Sequence, residues 1–156
     1  MGPRMDYVKA AEGGFKALLG LETYVRTSGL EKSLRELIKI RASQINQCAY
    51  CIDMHWKDAR AGGETEQRLY GLSAWREAPY YTDRERAALE WTEAVTRVIE
   101  TGIPDSAFEP LRELFTDKEI ADLTYAIATI NAWNRLAIAF RATPGSYVPP
   151  KGASHE

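Results

Sequence analysis

Apolar residues return every three or four positions along almost the whole chain, the period of helices that each bury one face. No run alternates apolar and polar residues between hairpin turn signals. Val8, Ala11, Phe15, Leu18 and Val25 predict a first helix, weakened at Gly13-Gly14 and kinked or split at Gly20. After a break at Ser28-Gly29, Leu34, Leu37, Ile38 and Ile45 make the stripe of a second helix over about 31–45. Asn46 is the predicted N-cap of a third helix, which carries residues 48–60 and ends at Gly62-Gly63. A short helix over about 65–71 leads into a loop at 75–81. Thr82-Asp83-Arg84-Glu85 and Thr116-Asp117-Lys118-Glu119 both have the Thr-x-x-Glu form of a capping box. The first opens a helix marked by Leu89, Trp91, Val95, Val98 and Ile99. The second opens a long one through Ile120, Leu123, Ile127, Ile130, Leu136 and Phe140, with a short helical stretch from Pro104-Asp105 between them. The expectation is an all-α fold, a bundle of helices packed in antiparallel pairs.

Composition narrows the picture. A chain of 156 residues, 45% of them hydrophobic, buries roughly 70% of its extended surface and folds without metal or disulfide staples. Residues 1–142 read as a single helical domain. From 143 to 156 the chain collects Pro144, Gly145, Pro149, Pro150 and Gly152, the makings of an extended tail whose Tyr147-Val148 could pack on a neighbouring subunit. With 20 Lys+Arg against 22 Asp+Glu and no basic block, neither nucleic acid nor an anionic membrane is an expected partner. The start of the chain turns polar too early for a secretory signal. The most apolar segment, 120–140, is interrupted by Asp122, Asn131, Asn134 and Arg135, so it reads as an amphipathic or core helix and the protein as cytoplasmic. Asn131 and Asn134 are expected to fix helix packing or a subunit contact.

The chemistry concentrates between Glu36 and His55. Only two cysteines occur, Cys48 and Cys51, three residues apart, a spacing that in a reducing compartment points to redox chemistry or a metal. On a helix Cys48, Cys51 and His55 fall within about 60° of one another. Their spacing puts a disulfide within reach of the two thiols and an imidazole within reach of Cys51. The helix N-terminus favours a thiolate at Cys48, and His55 can take the proton of Cys51. If the chain folds back after the second helix, Glu36 can orient His55 and raise its basicity. A zinc site at the thiols would need a fourth ligand, and the other histidine is His155 in the tail. Tyr50 and Asp53 lie off the reactive face and read as packing or solvated positions; Trp56 reads as core or pocket wall.

The pattern Glu-x11-Cys-Ala-Tyr-Cys-x-x-x-His resembles the alkylhydroperoxidase D-like members of the carboxymuconolactone decarboxylase family over about residues 20–100, and Trp133-Asn134-Arg135 is similar to the C-terminal segment of a compact branch. The resemblance implies an all-helical homo-oligomer, a trimer or hexamer, that reduces a hydroperoxide substrate with electrons from an external dithiol or redox partner protein, with no cofactor. It implies that Cys51 attacks the peroxide, Cys48 resolves the product, His55 accepts the proton and Glu36 supports His55. The founding enzyme has a second histidine between its cysteines where this chain has Tyr50, and it carries the motif late in the chain rather than early. Two rival readings stand beside the peroxidase: a lyase acting on a muconolactone, whose chemistry needs no thiol pair, and a redox-sensing module without turnover.

Overall fold

The computed structural model describes residues 2–150; the end of the predicted tail, with His155, lies outside them. Among the described residues there is no strand. The helices are α1 (Tyr7–Ala10), α2 (Glu12–Thr27), α3 (Lys32–Ile45), α4 (Ala49–Ala61), α5 (Glu66–Tyr70), α6 (Asp83–Thr96), α7 (Val98–Thr101), α8 (Asp105–Leu114) and α9 (Asp117–Phe140), with a 3-10 turn at Gly71–Ala74 after α5.

α3 is the central element because its apolar positions are not confined to one stripe. Leu34 and Ile38 enter a core with Val25, Trp91, Leu111, Phe115, Leu123 and Ile127. Leu37 and Ile40 face a second core with Leu69, Leu72, Trp75, Tyr81 and Leu89. α4, α6 and α9 surround α3. Burying these side chains from two sides, at about 1.5–3 kcal/mol for each large aliphatic, fixes the position of α3. Both predicted capping boxes are present. Thr82 and Glu85 close the start of α6, and Thr116 and Glu119 close the start of α9.

The structure differs from the sequence reading at four places. The first helix breaks at Ala11, which has an extended φ of −138°, while α2 runs unbroken through Gly13, Gly14 and Gly20. A Cβ at any of those three glycines would meet nothing within 4 Å, so they mark no tight packing. Ile99 is 97% exposed because α6 stops at Thr96 and α7 turns the chain away from the core. Asn46 lies just past the end of α3, where its side-chain Nδ2 donates to the Oδ1 of Asn131 (2.9 Å) and of Asn134 (2.8 Å). Cys48 is the N-cap of α4 in its place. Tyr147 packs on its own chain's α4 through Asp58, and Val148 is 78% exposed.

The 75–81 loop is a packed corner. Trp75 is buried and donates from Nε1 to Glu93 Oε1 (2.8 Å), which also receives Arg41. A Cβ on Gly71 would lie 1.9 Å from the Tyr80 hydroxyl, so any larger residue there requires the Tyr80 ring to move. No helix among the described residues is long and apolar enough to cross a membrane.

Candidate active site

A polar knot holds α3 to α9 and, with it, the start of α4. Asn134 is fully buried; its Nδ2 donates to Ser43 Oγ (3.0 Å) while its Oδ1 accepts from Asn46. Asn131 donates to Thr96 Oγ1 (3.0 Å) and to the Ile127 carbonyl (2.9 Å). These bonds satisfy amides that would be costly to bury alone, and they fix the turn from which α4 departs. Gln47, at a φ of +58°, completes that turn.

Cys48 follows. Its Sγ accepts from the backbone N–H of Cys51 at 3.3 Å, so a sulfur occupies the capping position normally held by an oxygen. Cys48 and Cys51 are joined as a disulfide with their Cα atoms 5.4 Å apart. They are 1% and 2% exposed and pack with Ala137 against Tyr50 and Ala142.

One turn beyond Cys51 on the same helix, His55 is 6% exposed. Its Nδ1–H donates to Glu36 Oε2 of α3 at 2.9 Å, the tautomer a carboxylate partner requires. Burial pushes the Glu36 carboxyl up. The hydrogen bond and charge of His55, with the charges of Lys39 and Arg35, outweigh this and hold it below the ordinary value. The structure thus sets the four residues singled out in the sequence on two packed helices: Cys48 as the N-cap of α4, Cys51 and His55 one turn apart on α4, and Glu36 on α3 in contact with His55.

Two further residues join them that the sequence reading did not place at the site, Asp58 and Tyr147. Asp58 stands three residues after His55, and Glu36, His55 and Asp58 each offer a ligand atom within 4.8 Å of the others. Burial, and next the charge of Glu36, raise the Asp58 carboxyl, although the Tyr147 hydroxyl donates to its Oδ1 at 2.7 Å and lowers it. The i+3 spacing from His55 was the signal available for Asp58. For Tyr147 there was none, because it reaches the site over 89 residues of sequence. A cavity of about 490 Å³ opens beside this group, lined by Lys32, Ser33, Glu36, Asp58, Ala59, Gly62 and Glu64. Tyr50 packs beside the cysteines, and Trp56 packs against the second core and Tyr70. Asp53 pairs with Lys57 at 2.9 Å.

The fold is shared with known proteins. A profile of the carboxymuconolactone decarboxylase family matches residues 12–94, and the chain belongs to that family, on its AhpD-like side. An uncharacterized Bacillus subtilis protein, YdfG, is 45% identical over 139 residues, covering 89% of this chain and 95% of its own. The crystal structure of a protein of unknown function from Agrobacterium tumefaciens, ATU0492, provisionally assigned as the antioxidant defence protein AhpD, superposes with a TM-score of 0.90. It is 51% identical, with 94% of this chain and 100% of that one covered. An uncharacterized peroxidase-related protein from Silicibacter sp. TM1040 superposes with a TM-score of 0.75 at 29% identity, over 84% of this chain and 70% of its own.

Proposed function

We propose that this protein is a thiol-dependent peroxidase that reduces hydroperoxides through Cys48 and Cys51. The observation that supports this reading most directly is the placement of a buried cysteine pair on the helix of an imidazole that is itself held by a buried carboxylate, Glu36 Oε2 to His55 Nδ1 at 2.9 Å. A nucleophile, a base and an orienting group are the parts that activated-thiol chemistry needs. In the proposed cycle His55 takes the proton of the Cys51 thiol. The thiolate attacks the outer peroxide oxygen and the O–O bond breaks, leaving Cys51 as a sulfenic acid. The departing alkoxide takes the proton back from His55 and leaves as alcohol. The Cys48 thiol then condenses with the sulfenic acid, forming the disulfide and releasing water. An external dithiol reduces that disulfide by exchange and is itself oxidised, which restores both thiols.

The same reading makes the protein a homo-oligomer. Leu19 and Tyr24 of α2 and Tyr125 and Ile138 of α9 are exposed, and Tyr24 and Tyr125 meet edge-on with ring centres 6.0 Å apart. Such side chains on two packed helices are suited to a subunit contact.

The test is turnover. Reduced protein given excess alkyl hydroperoxide and a dithiol should consume many equivalents of peroxide per chain, with a sulfenic acid detected by mass spectrometry at substoichiometric peroxide. Disulfide formation that stops after one equivalent in the presence of dithiol would make the protein a redox-responsive module instead. Muconolactone consumption independent of both thiols would make it a lyase.

A further inference from the structure

We propose that Tyr147, in the segment after α9, is a positioning residue for the Glu36–His55 pair and acts through Asp58; the inference rests on the peroxidase reading only for the task that pair performs. His55 has one Nδ1–H, and beside the carboxylate that receives it stands a second, near enough for a side-chain rotation to bring it into competition. Glu36 Oε2 receives it at 2.9 Å. Asp58 has a carboxylate oxygen within 4.8 Å of ligand atoms on both. A single N–H cannot point well at two acceptors, so whichever carboxylate wins sets the plane of the imidazole. What keeps Asp58 out of the contest is the Tyr147 hydroxyl, which donates to its Oδ1 at 2.7 Å.

Asp58 needs that donor. It is half-buried and faces the Glu36 carboxylate, so its charge is poorly solvated and repelled. The other charged groups acting on it are His55 on α4 and Lys39 on α3, and Lys39 is already paired with Glu22. Lys32 and Glu64 line the neighbouring cavity.

The segment that delivers the hydroxyl is fastened to α4 rather than merely resting on it. The Gly145 N–H donates to Asp53 Oδ2 at 3.0 Å, and Lys57 Nζ donates to the carbonyls of Gly145 (3.2 Å) and Tyr147 (3.1 Å). Gly145 has a φ of +100°, a conformation that side chains oppose, so the turn leading to Tyr147 depends on glycine. Asp53, Lys57 and Asp58 therefore receive the segment on the helix that carries Cys51 and His55.

Without the hydroxyl, Asp58 turns to His55, draws the ring from Glu36 and misaligns it towards Cys51. The test follows alkylation of Cys51 by iodoacetamide in the reduced full chain carrying Cys48→Ser, from pH 5 to 9. Adding Tyr147→Phe should slow alkylation about 5- to 10-fold, the worth of one well-placed hydrogen bond, and displace the midpoint of the pH profile. Adding Asp58→Asn to Tyr147→Phe should restore the rate to within about twofold, because a neutral amide competes weakly for the imidazole. A segment that merely came loose would not be rescued in this way. The inference is overturned if Tyr147→Phe reacts like its parent, or if the double variant stays as slow as the single one. His55→Ala separates the two levels of the argument. If it slows alkylation while Tyr147→Phe does not, only this inference fails; if it too leaves the rate unchanged, the peroxidase reading loses its base and this inference falls with it.

Discussion

Glu36 and His55 lie nineteen residues apart in sequence and meet across the α3–α4 turn with Oε2 and Nδ1 2.9 Å apart. The contact exists because α3 is held from two sides by apolar cores while the Asn46–Asn131–Asn134 knot fixes where α4 begins. The imidazole therefore has its orientation set before any substrate arrives, and orientation of this kind is what makes a weak base effective.

Removing the imidazole should cost more than weakening its support. His55→Ala is expected to slow peroxide-driven sulfenic acid formation by about 10² or more, the usual worth of a positioned general base. Glu36→Gln keeps a hydrogen-bond acceptor but loses the charge, and should slow the step by roughly tenfold. Stopped-flow peroxide consumption on reduced protein measures both. Equal rates for His55→Ala and the parent would remove His55 from the mechanism.

The same pair should leave a mark on acid stability. The Glu36 carboxyl titrates lower in the folded chain than in the unfolded one, where its value is about 4.3. The folded state then binds fewer protons, so the stabilisation is complete above about pH 5 and is lost as pH falls through the folded value. Glu36→Gln should therefore show a shallower fall in urea-unfolding free energy below pH 5 than the parent. An unchanged or steeper fall would mean that the folded pair does not hold Glu36 ionised.

The helical frame was legible because its signals are local. Thr82 and Glu85, or Thr116 and Glu119, can be read as caps from four consecutive residues, and Gly62 ends α4 as its position suggests. The cysteine pair, His55 and Glu36 were found by spacing and resemblance. What escaped was decided in three dimensions. Asn46 stands where an N-cap should stand, yet two asparagines of α9 take up its amide, and a cysteine fills the cap. Ile99 continues an apolar period but falls after the chain has turned at Arg97. Tyr147 sits in a proline- and glycine-containing stretch that looks unstructured, and only its partners on α4 give it a place.

Asn134 is the most sensitive point of the frame outside the chemistry. It is fully buried and bonds to Ser43 and Asn46 on the far side of an apolar interface. Asn134→Ala opens a small cavity and strips a partner from two polar side chains, an expected loss of about 2–3 kcal/mol. Asn131→Ala, at a half-buried position, should cost less. Thermal and urea denaturation of the two variants measure the difference, and a smaller loss for Asn134→Ala would show that Asn46 and Ser43 find other partners.

The division of labour between the sulfurs is where two physical effects oppose each other. Cys48 caps α4, and its Sγ accepts the Cys51 N–H at 3.3 Å, so the partial positive charge of the helix start favours a thiolate there. That effect is worth about 0.3–1 kcal/mol at an exposed site and up to about 2 kcal/mol at a buried one such as this, roughly one and a half pKa units at most. Cys51 has instead an imidazole one turn further along its own helix, and a base that removes the proton during the reaction contributes about 10² to 10⁴ in rate. The base should win, making Cys51 the nucleophile and Cys48 the resolving thiol that the cap keeps beside it. Cys51→Ser should then abolish sulfenic acid formation, and Cys48→Ser should accumulate it on Cys51, read by dimedone trapping and peptide mass spectrometry. Because the pair closes a loop only three residues long, neither variant nor reduction of the disulfide should change the helical circular dichroism. A sulfenic acid found on Cys48 in the Cys51→Ser protein, with Cys51 inert in the other variant, would reverse the assignment and make the cap the stronger influence.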